Sequence, residues 1–270
     1  MAGSRVKRTR GKGPALILVS NDDGVRAEGL LRLVRSLRPL GRVVVVAPDK
    51  ERSASSHSIT LHRPLRVERV SRDVYSVDGT PTDCVLLAVH GLLGQRPDII
   101  VSGINHGPNL GDDVHYSGTV SVAFEGGILG IPSIAISSMG KAKGKGFATA
   151  AAAARRIAAG VLKDGLPKGM VLNVNVPDVP MKAIRGFVLT KQGKRNYGGV
   201  IVEKTDPRGK KYYWIGGDQS GFEDVPHSDC NAVRAGFVSI TPLRVNLTDA
   251  SQLKAVARFG FAKRWRRGPG

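Results

Sequence analysis

Cysteine is nearly absent: Cys84 and Cys230 are the only two in 270 residues, and neither falls in a CxxC or CxxxH spacing. A disulfide framework or a cysteine-built zinc site is therefore not what organises the chain. Long hydrophobic runs are missing too. The basic opening MAGSRVKRTRGKG leads only into the five-residue run ALILV, too short for a signal-peptide core. No stretch approaches the ~20 apolar residues of a membrane-spanning helix, and a cytoplasmic location without membrane contact is the expectation. Glycine is plentiful, at 34, but has no three-residue period, and no heptad persists, which excludes collagen-like and coiled-coil chains. Three catalytic signatures are lacking as well. No GxGxxG follows the first apolar run, and neither GxxxxGKS/T nor GxSxG occurs, which argues against nicotinamide dehydrogenases, P-loop NTPases and nucleophile-elbow hydrolases.

Acidic residues are scarce, 22 Asp+Glu against 41 Lys+Arg, giving a formal charge of +19. Eleven of those charges lie at the ends, five in residues 1–13 and six in 251–270, where no acid occurs. The excess over the rest suits anionic substrates without making the protein a nucleic-acid binder. The domain expectation is a basic, disordered tail over 1–13, one domain over 14–250 that includes a hairpin arm at 196–217, and a helix end with a basic tail over 251–270.

What is present alternates. ALILVS (15–20) and RVVVVA (42–47) are branched apolar runs flanking a segment with Leu30, Val34 and Leu37 at helical spacing. Thr80-Pro81-Thr82-Asp83 reads as a capping box with Pro at the first helical position, and DIIVSG (98–103) as the next buried strand. A helix over 120–129, a strand over 132–138 and an Ala-rich helix over 147–163 follow. These alternations predict an α/β fold with a doubly wound, mostly parallel sheet. Strands at 171–177, 186–190 and 236–243 come later, with a helix capped at Thr248 or Asp249. GGVIVEK, TDPRG and KKYYWIGG over 198–217 read as a projecting hairpin too small to hold a core of its own, which predicts packing on a neighbouring subunit.

Ligands of open α/β sheets bind beyond the carboxyl ends of the strands. There the sequence places oxygen donors: Asn21-Asp22-Asp23-Gly24 after the first strand, Asp49 with Ser53, Ser55 and Ser56 after the second, and Ser102-Gly103-Ile104-Asn105 after the third. Carboxylate, hydroxyl and amide oxygens suit a hard cation such as Mg²⁺ or Mn²⁺. Adjacent aspartates repel, and a cation removes that cost. A plain turn or helix cap is the competing reading of Asp-Asp-Gly. The long polar stretch 103–127 ends in Ser117-Gly118-Thr119 at a helix start, where free N–H groups favour an anion such as phosphate, although an ordinary N-cap has the same look. Of six histidines, His57, His106 and His115 lie in these loops, and His115 is the one to test as acid or base.

These residues resemble the survival protein SurE family of metal-dependent 5′-nucleotidases. The likeness is carried by ILVSNDDG (17–24), VVVAPDKERSASSHSIT (44–60), VDGTPTDCV (77–85), DIIVSGINHGPNLGDDVHYSGTVSVAFEG (98–126), IPSIAISS (131–138), LNVNVP (172–177) and VSITPL (238–243). It implies a Rossmann-like α/β domain, a C-terminal hairpin used in dimers or tetramers, and hydrolysis of nucleoside 5′- and often 3′-monophosphates, with exopolyphosphatase activity as a further expectation. Carried over, the resemblance puts one divalent cation per subunit on Asp22, Asp23, Ser53 and Asn105, with Asp22 also activating water. Phosphate contacts fall on Asn109, Ser117, Gly118 and Thr119, and Asp113 stands behind the ligands. Ser20 departs from the Thr often found before Asn-Asp-Asp-Gly, and the basic ends are unexplained by the family. A polyphosphatase, or a polyanion-binding protein that grips nucleic acid with its tails, is the alternative.

Overall fold

Branched apolar runs separated by amphipathic segments fold as the alternation predicts. The computed structural model describes residues 5–6, 13–140, 146–196, 201–215 and 221–261. The basic tails therefore lie largely outside the described residues, as do the lysine-rich 141–145 and the ends of the hairpin arm. In chain order the first half contains β1 (Arg5–Val6), β2 (Ala15–Ser20), α1 (Glu28–Leu37), β3 (Gly41–Pro48), β4 (Val67–Ser71), β5 (Val74–Val77), α2 (Pro81–Leu87), β6 (Ile99–His106) and α3 (Gly118–Ile128). The second contains β7 (Ser133–Ser138), α4 (Phe147–Asp164), β8 (Leu166–Pro167), β9 (Met170–Val176), β10 (Phe187–Leu189), β11 (Ile201–Thr205), β12 (Lys211–Ile215), α5 (Asp229–Arg234), β13 (Val238–Arg244) and α6 (Leu253–Ala257).

Nine strands form one sheet in the order β10-β13-β9-β7-β6-β2-β3-β5-β4. From β5 to β9 all neighbours are parallel, while β4 and β13 run antiparallel to β5 and β9. Every residue of β2 is buried, as expected of a central strand covered on both faces. Leu30, Leu33 and Leu37 of α1 pack with the alanines of α4 on one face, and α2 and α3 cover the other. The chain steps outward from β2 through β3 and β5, then returns to β6 and steps the opposite way through β7 and β9. The carboxyl ends of β2 and β6 thus meet at a topological switch point.

The Thr80 capping box forms as read: Asp83 N donates to Thr80 Oγ1 at 3.1 Å and Thr80 N to Asp83 Oδ2 at 2.8 Å. The helix it opens leaves α geometry after Leu87 and continues as a π turn over Ala88–Leu92. Strands β4 and β5 are additions to the sequence reading, because VERVS is wholly exposed and has no continuous apolar run. The hairpin is present as the separate pair β11–β12, with Asp206 Oδ1 accepting from Arg208 N and Lys210 N at its turn. Both cysteines are free and buried. Among the described residues no helix is long and apolar enough to cross a membrane.

Candidate active site

The chain leaves β2 at Ser20 and turns at once, with Asn21 Nδ2 donating to Gly24 O at 3.0 Å. That turn brings Asp22 under the first residues of α3. The Thr119 hydroxyl donates to Asp22 Oδ1, and the backbone N–H groups of Gly118 and Thr119 also favour the carboxylate. Burial nevertheless dominates and pushes the Asp22 carboxyl above its ordinary range. Asp23, less deeply buried, is pushed up to about 6, first by burial and then by the charge of Asp22, with the His106 N–H opposing.

Asn105 reaches the same point from β6. Pairing with β7 shifts register between Ser102 and Asn105, and an irregularity of this kind re-aims a side chain at a strand end. Gly103 sits inside it at φ +118, where a Cβ would lie 2.3 Å from Ile136 O. Asn105 Nδ2 donates to Gly107 O at 3.0 Å, and its Oδ1 lies 3.3 Å from Thr119 Oγ1. Two side-chain oxygens from adjacent strands, Asp22 Oδ1 and Asn105 Oδ1, therefore converge on one hydroxyl at the helix N-terminus.

The third strand end contributes a loop. Arg52 N donates to Asp22 O at 2.7 Å, which fixes the loop against the aspartates. Ser53 is exposed and gives its hydroxyl to Glu51 Oε1 at 2.7 Å. Ala54 and Ser56 hold left-handed φ values of 56° and 52°, a cost that structures tend to retain at functional sites.

The other predicted residues divide. Ser117 is a true N-cap, its Oγ accepting from Val120 N at 3.0 Å. Asn109 is buried in an amide network: its N donates to Asn175 Oδ1 at 2.8 Å and its Nδ2 to Ser137 Oγ at 2.7 Å. Asp113 takes Arg195 Nη1 at 2.6 Å, which ties it to the base of the arm. His115 is exposed, and its carbonyl accepts from Ser56 Oγ at 2.7 Å. Sequence reasoning missed one pair, His57 Nε2 and Glu125 Oε2 at 2.8 Å, which joins the Ser53 loop to α3. The available signal was Glu125 itself, an acid inside the otherwise apolar run VSVAFEGG.

The donors fit a hard cation. Among the described residues no three His, Cys, Asp or Glu side chains cluster as a metal site, so any cation here takes neutral oxygens along with the aspartates. Asp22 and Asn105 already turn such oxygens together, and the repulsion between buried Asp22 and half-buried Asp23 is what a positive charge would relieve.

A doubly wound, mostly parallel sheet whose switch point holds Asp22 under a helix N-terminus is an α/β protein of the kind whose ligand sites lie at that crevice. The family model described as Survival protein SurE matches residues 17–199, and the chain belongs to that family. It is 53% identical to the 5′-nucleotidase SurE of Geobacter metallireducens over 92% of this chain and 98% of that protein. Against the 5′-nucleotidase SurE of Geobacter sulfurreducens the identity is 54%, covering 88% and 90%. The crystal structure of the SurE protein from Aquifex aeolicus superposes with a TM-score of 0.82 at 43% identity, covering 91% of this chain and 99% of that one.

Proposed function

We propose that the chain is a 5′-nucleotidase that hydrolyses nucleoside 5′-monophosphates, and 3′-monophosphates with them, using one Mg²⁺ or Mn²⁺ held by Asp22, Asp23, Ser53 and Asn105. The observation that carries this reading is the convergence of Asp22 Oδ1 and Asn105 Oδ1 on Thr119 at the start of α3. Such a cation would act as a Lewis acid toward a phosphate oxygen and lower the pKa of water.

The chain's own residues do the rest. The Thr119 hydroxyl and the first N–H groups of α3 fix the Asp22 carboxylate in one orientation. Ser117, Gly118 and Thr119 offer an incoming phosphate the positive end of a helix that is buried along most of its length. Asn109, locked at its backbone and amide, sets the height of the 107–117 loop from which a phosphate contact is made. Asp113 holds the same loop from behind through Arg195. His115 is the residue proposed to protonate the leaving oxygen. Exopolyphosphatase activity and a cytoplasmic dimer or tetramer joined through the arm belong to the same proposal.

The test is phosphate release from a panel of 5′- and 3′-monophosphates and short polyphosphate, using EDTA-stripped protein before and after Mn²⁺ or Mg²⁺ is added. Metal-restored release that Asp22→Asn abolishes is the expected result. Release that survives Asp22→Asn in a folded protein would refute the ligand assignment. A folded protein inert to every substrate with either metal would favour the polyanion-binding reading.

A further inference from the structure

Glu125 is an acid that α3 has no local reason to carry. It interrupts the apolar run VSVAFEGG on a helix buried along most of its length, and its own side chain is only 11% exposed. Burying a carboxylate costs free energy unless a partner meets it, and an apolar residue in its place is often neutral or better for stability. The partner here is His57, whose Nε2 lies 2.8 Å from Glu125 Oε2. His57 belongs to the loop that follows β3, four residues beyond Ser53. We propose that His57 and Glu125 are positioning residues for the metal site, their contact fixing on α3 the loop that presents Ser53. The inference rests on the metal-dependent reading above and adds what orients the ligand residue that lies exposed.

Ser53 needs such support more than the others do. Asp22 and Asn105 leave or end buried strands and meet at Thr119, whereas Ser53 sits on irregular backbone with its hydroxyl turned to Glu51. The loop is held at its near end by Arg52 N on Asp22 O at 2.7 Å, and at its far end by Thr60 N on Asp83 Oδ1 at 2.9 Å. Between those points Ser56 donates from Oγ and N to the carbonyls of His115 and Tyr116, at 2.7 and 3.3 Å, which belong to another loop. His57 reaches past that loop to the helix itself, where the Phe124 ring flanks the imidazole at 6.4 Å. Glu125 stands six residues after Thr119, ~9 Å along the helix axis. One rigid element thus takes Asp22 at its start and the Ser53 loop further along, and the spacing between the two carriers is set by the helix.

The test reads Mn²⁺ binding directly, by titration calorimetry on EDTA-stripped protein without substrate. His57→Phe keeps a ring beside Phe124 and removes the nitrogen, while Glu125→Leu removes the acid and leaves no buried charge behind. Each is expected to raise the Mn²⁺ Kd by about tenfold or more. Glu125→Leu is expected to do so without lowering the thermal midpoint, which separates lost positioning from lost stability. His57→Gln, whose amide can still donate to Glu125, should recover most of the affinity. Ser53→Ala supplies the deciding comparison: because the pair acts through Ser53, adding His57→Phe to Ser53→Ala should cause no further loss. An unchanged Mn²⁺ Kd in His57→Phe and Glu125→Leu, or a loss that multiplies with that of Ser53→Ala, would overturn the assignment. If Ser53→Ala alone binds Mn²⁺ as the parent does, Ser53 leaves the ligand set and the inference goes with it, a failure of the underlying reading that is distinct from the other two.

Discussion

Gly118 leaves no space for a side chain. A Cβ there would lie 2.7 Å from Asp22 Cβ and 2.9 Å from Asp22 Oδ2, so Gly118→Ala must displace the carboxylate or the helix start. Displacing the partners that orient a ligand residue commonly costs ~10–100-fold in metal affinity or activity. Gly118→Ala should accordingly raise the metal concentration needed for half-maximal activity by about that factor, with an unchanged far-UV circular dichroism spectrum. An unaffected metal dependence would mean that α3 does not orient Asp22. At this scale the placing of Asp22 and Asn105 at adjacent strand ends was legible because the rule about strand ends needs only residue order. Thr119 as the shared partner, and the His57–Glu125 contact, were not legible. Each depends on how α3 lies over the crevice, a distance between elements that no local pattern encodes.

The elements most easily read were those whose apolar residues are contiguous or capped, namely β2, β3, α2 and α4. Strands β4 and β5 escaped because an antiparallel edge pair needs only one covered face, and charged residues on the other guard against edge-to-edge association. A surface ion pair secures this edge: Arg42 Nη2 meets Asp73 Oδ1 at 2.6 Å, across from the β4–β5 turn to the start of β3. The Arg42 guanidinium holds the Asp73 carboxyl below its usual range. A depressed folded pKa stabilises the protein above the unfolded value, ~3.9, and that contribution disappears as pH falls through the folded one. Asp73→Asn should thus lower the denaturation midpoint slightly at pH 7, by less than about 1 kcal/mol for an exposed pair. Parent and variant should converge below pH 3 in urea titrations. A difference that persists at that pH would assign the effect to the left-handed turn that Asp73 occupies, φ 61°, rather than to its charge.

For the molecule as a whole, the sheet order was only partly legible. Alternation predicts parallel neighbours, but nothing in it says that β6 returns to the far side of β2, the step that creates the switch point. The hairpin was legible from its turn residues. Its cross-strand pair Ile201 and Ile215 is 66% and 95% exposed; on the proposal that the arm joins subunits, the doublet Ile201→Thr/Ile215→Thr should lower the sedimenting mass to that of a monomer while the domain stays folded. An unchanged mass would place subunit contacts elsewhere.

The central place of β2 also has a cost during synthesis. Its two sheet neighbours are β3, the next strand in the domain, and β6, which begins 77 residues after Asp22, at Ile99. At translation rates of ~5–20 residues per second, that interval is several seconds. Until β6 arrives, one edge of a strand that is apolar from Ala15 to Val19 stands open, bordering two adjacent aspartates. A nascent chain stalled or truncated before residue 106 therefore presents a sticky edge and no completed site. Such chains are expected to be clients of ribosome-associated chaperones, for the same topological reason that lets the finished protein bring Asp22 and Asn105 together.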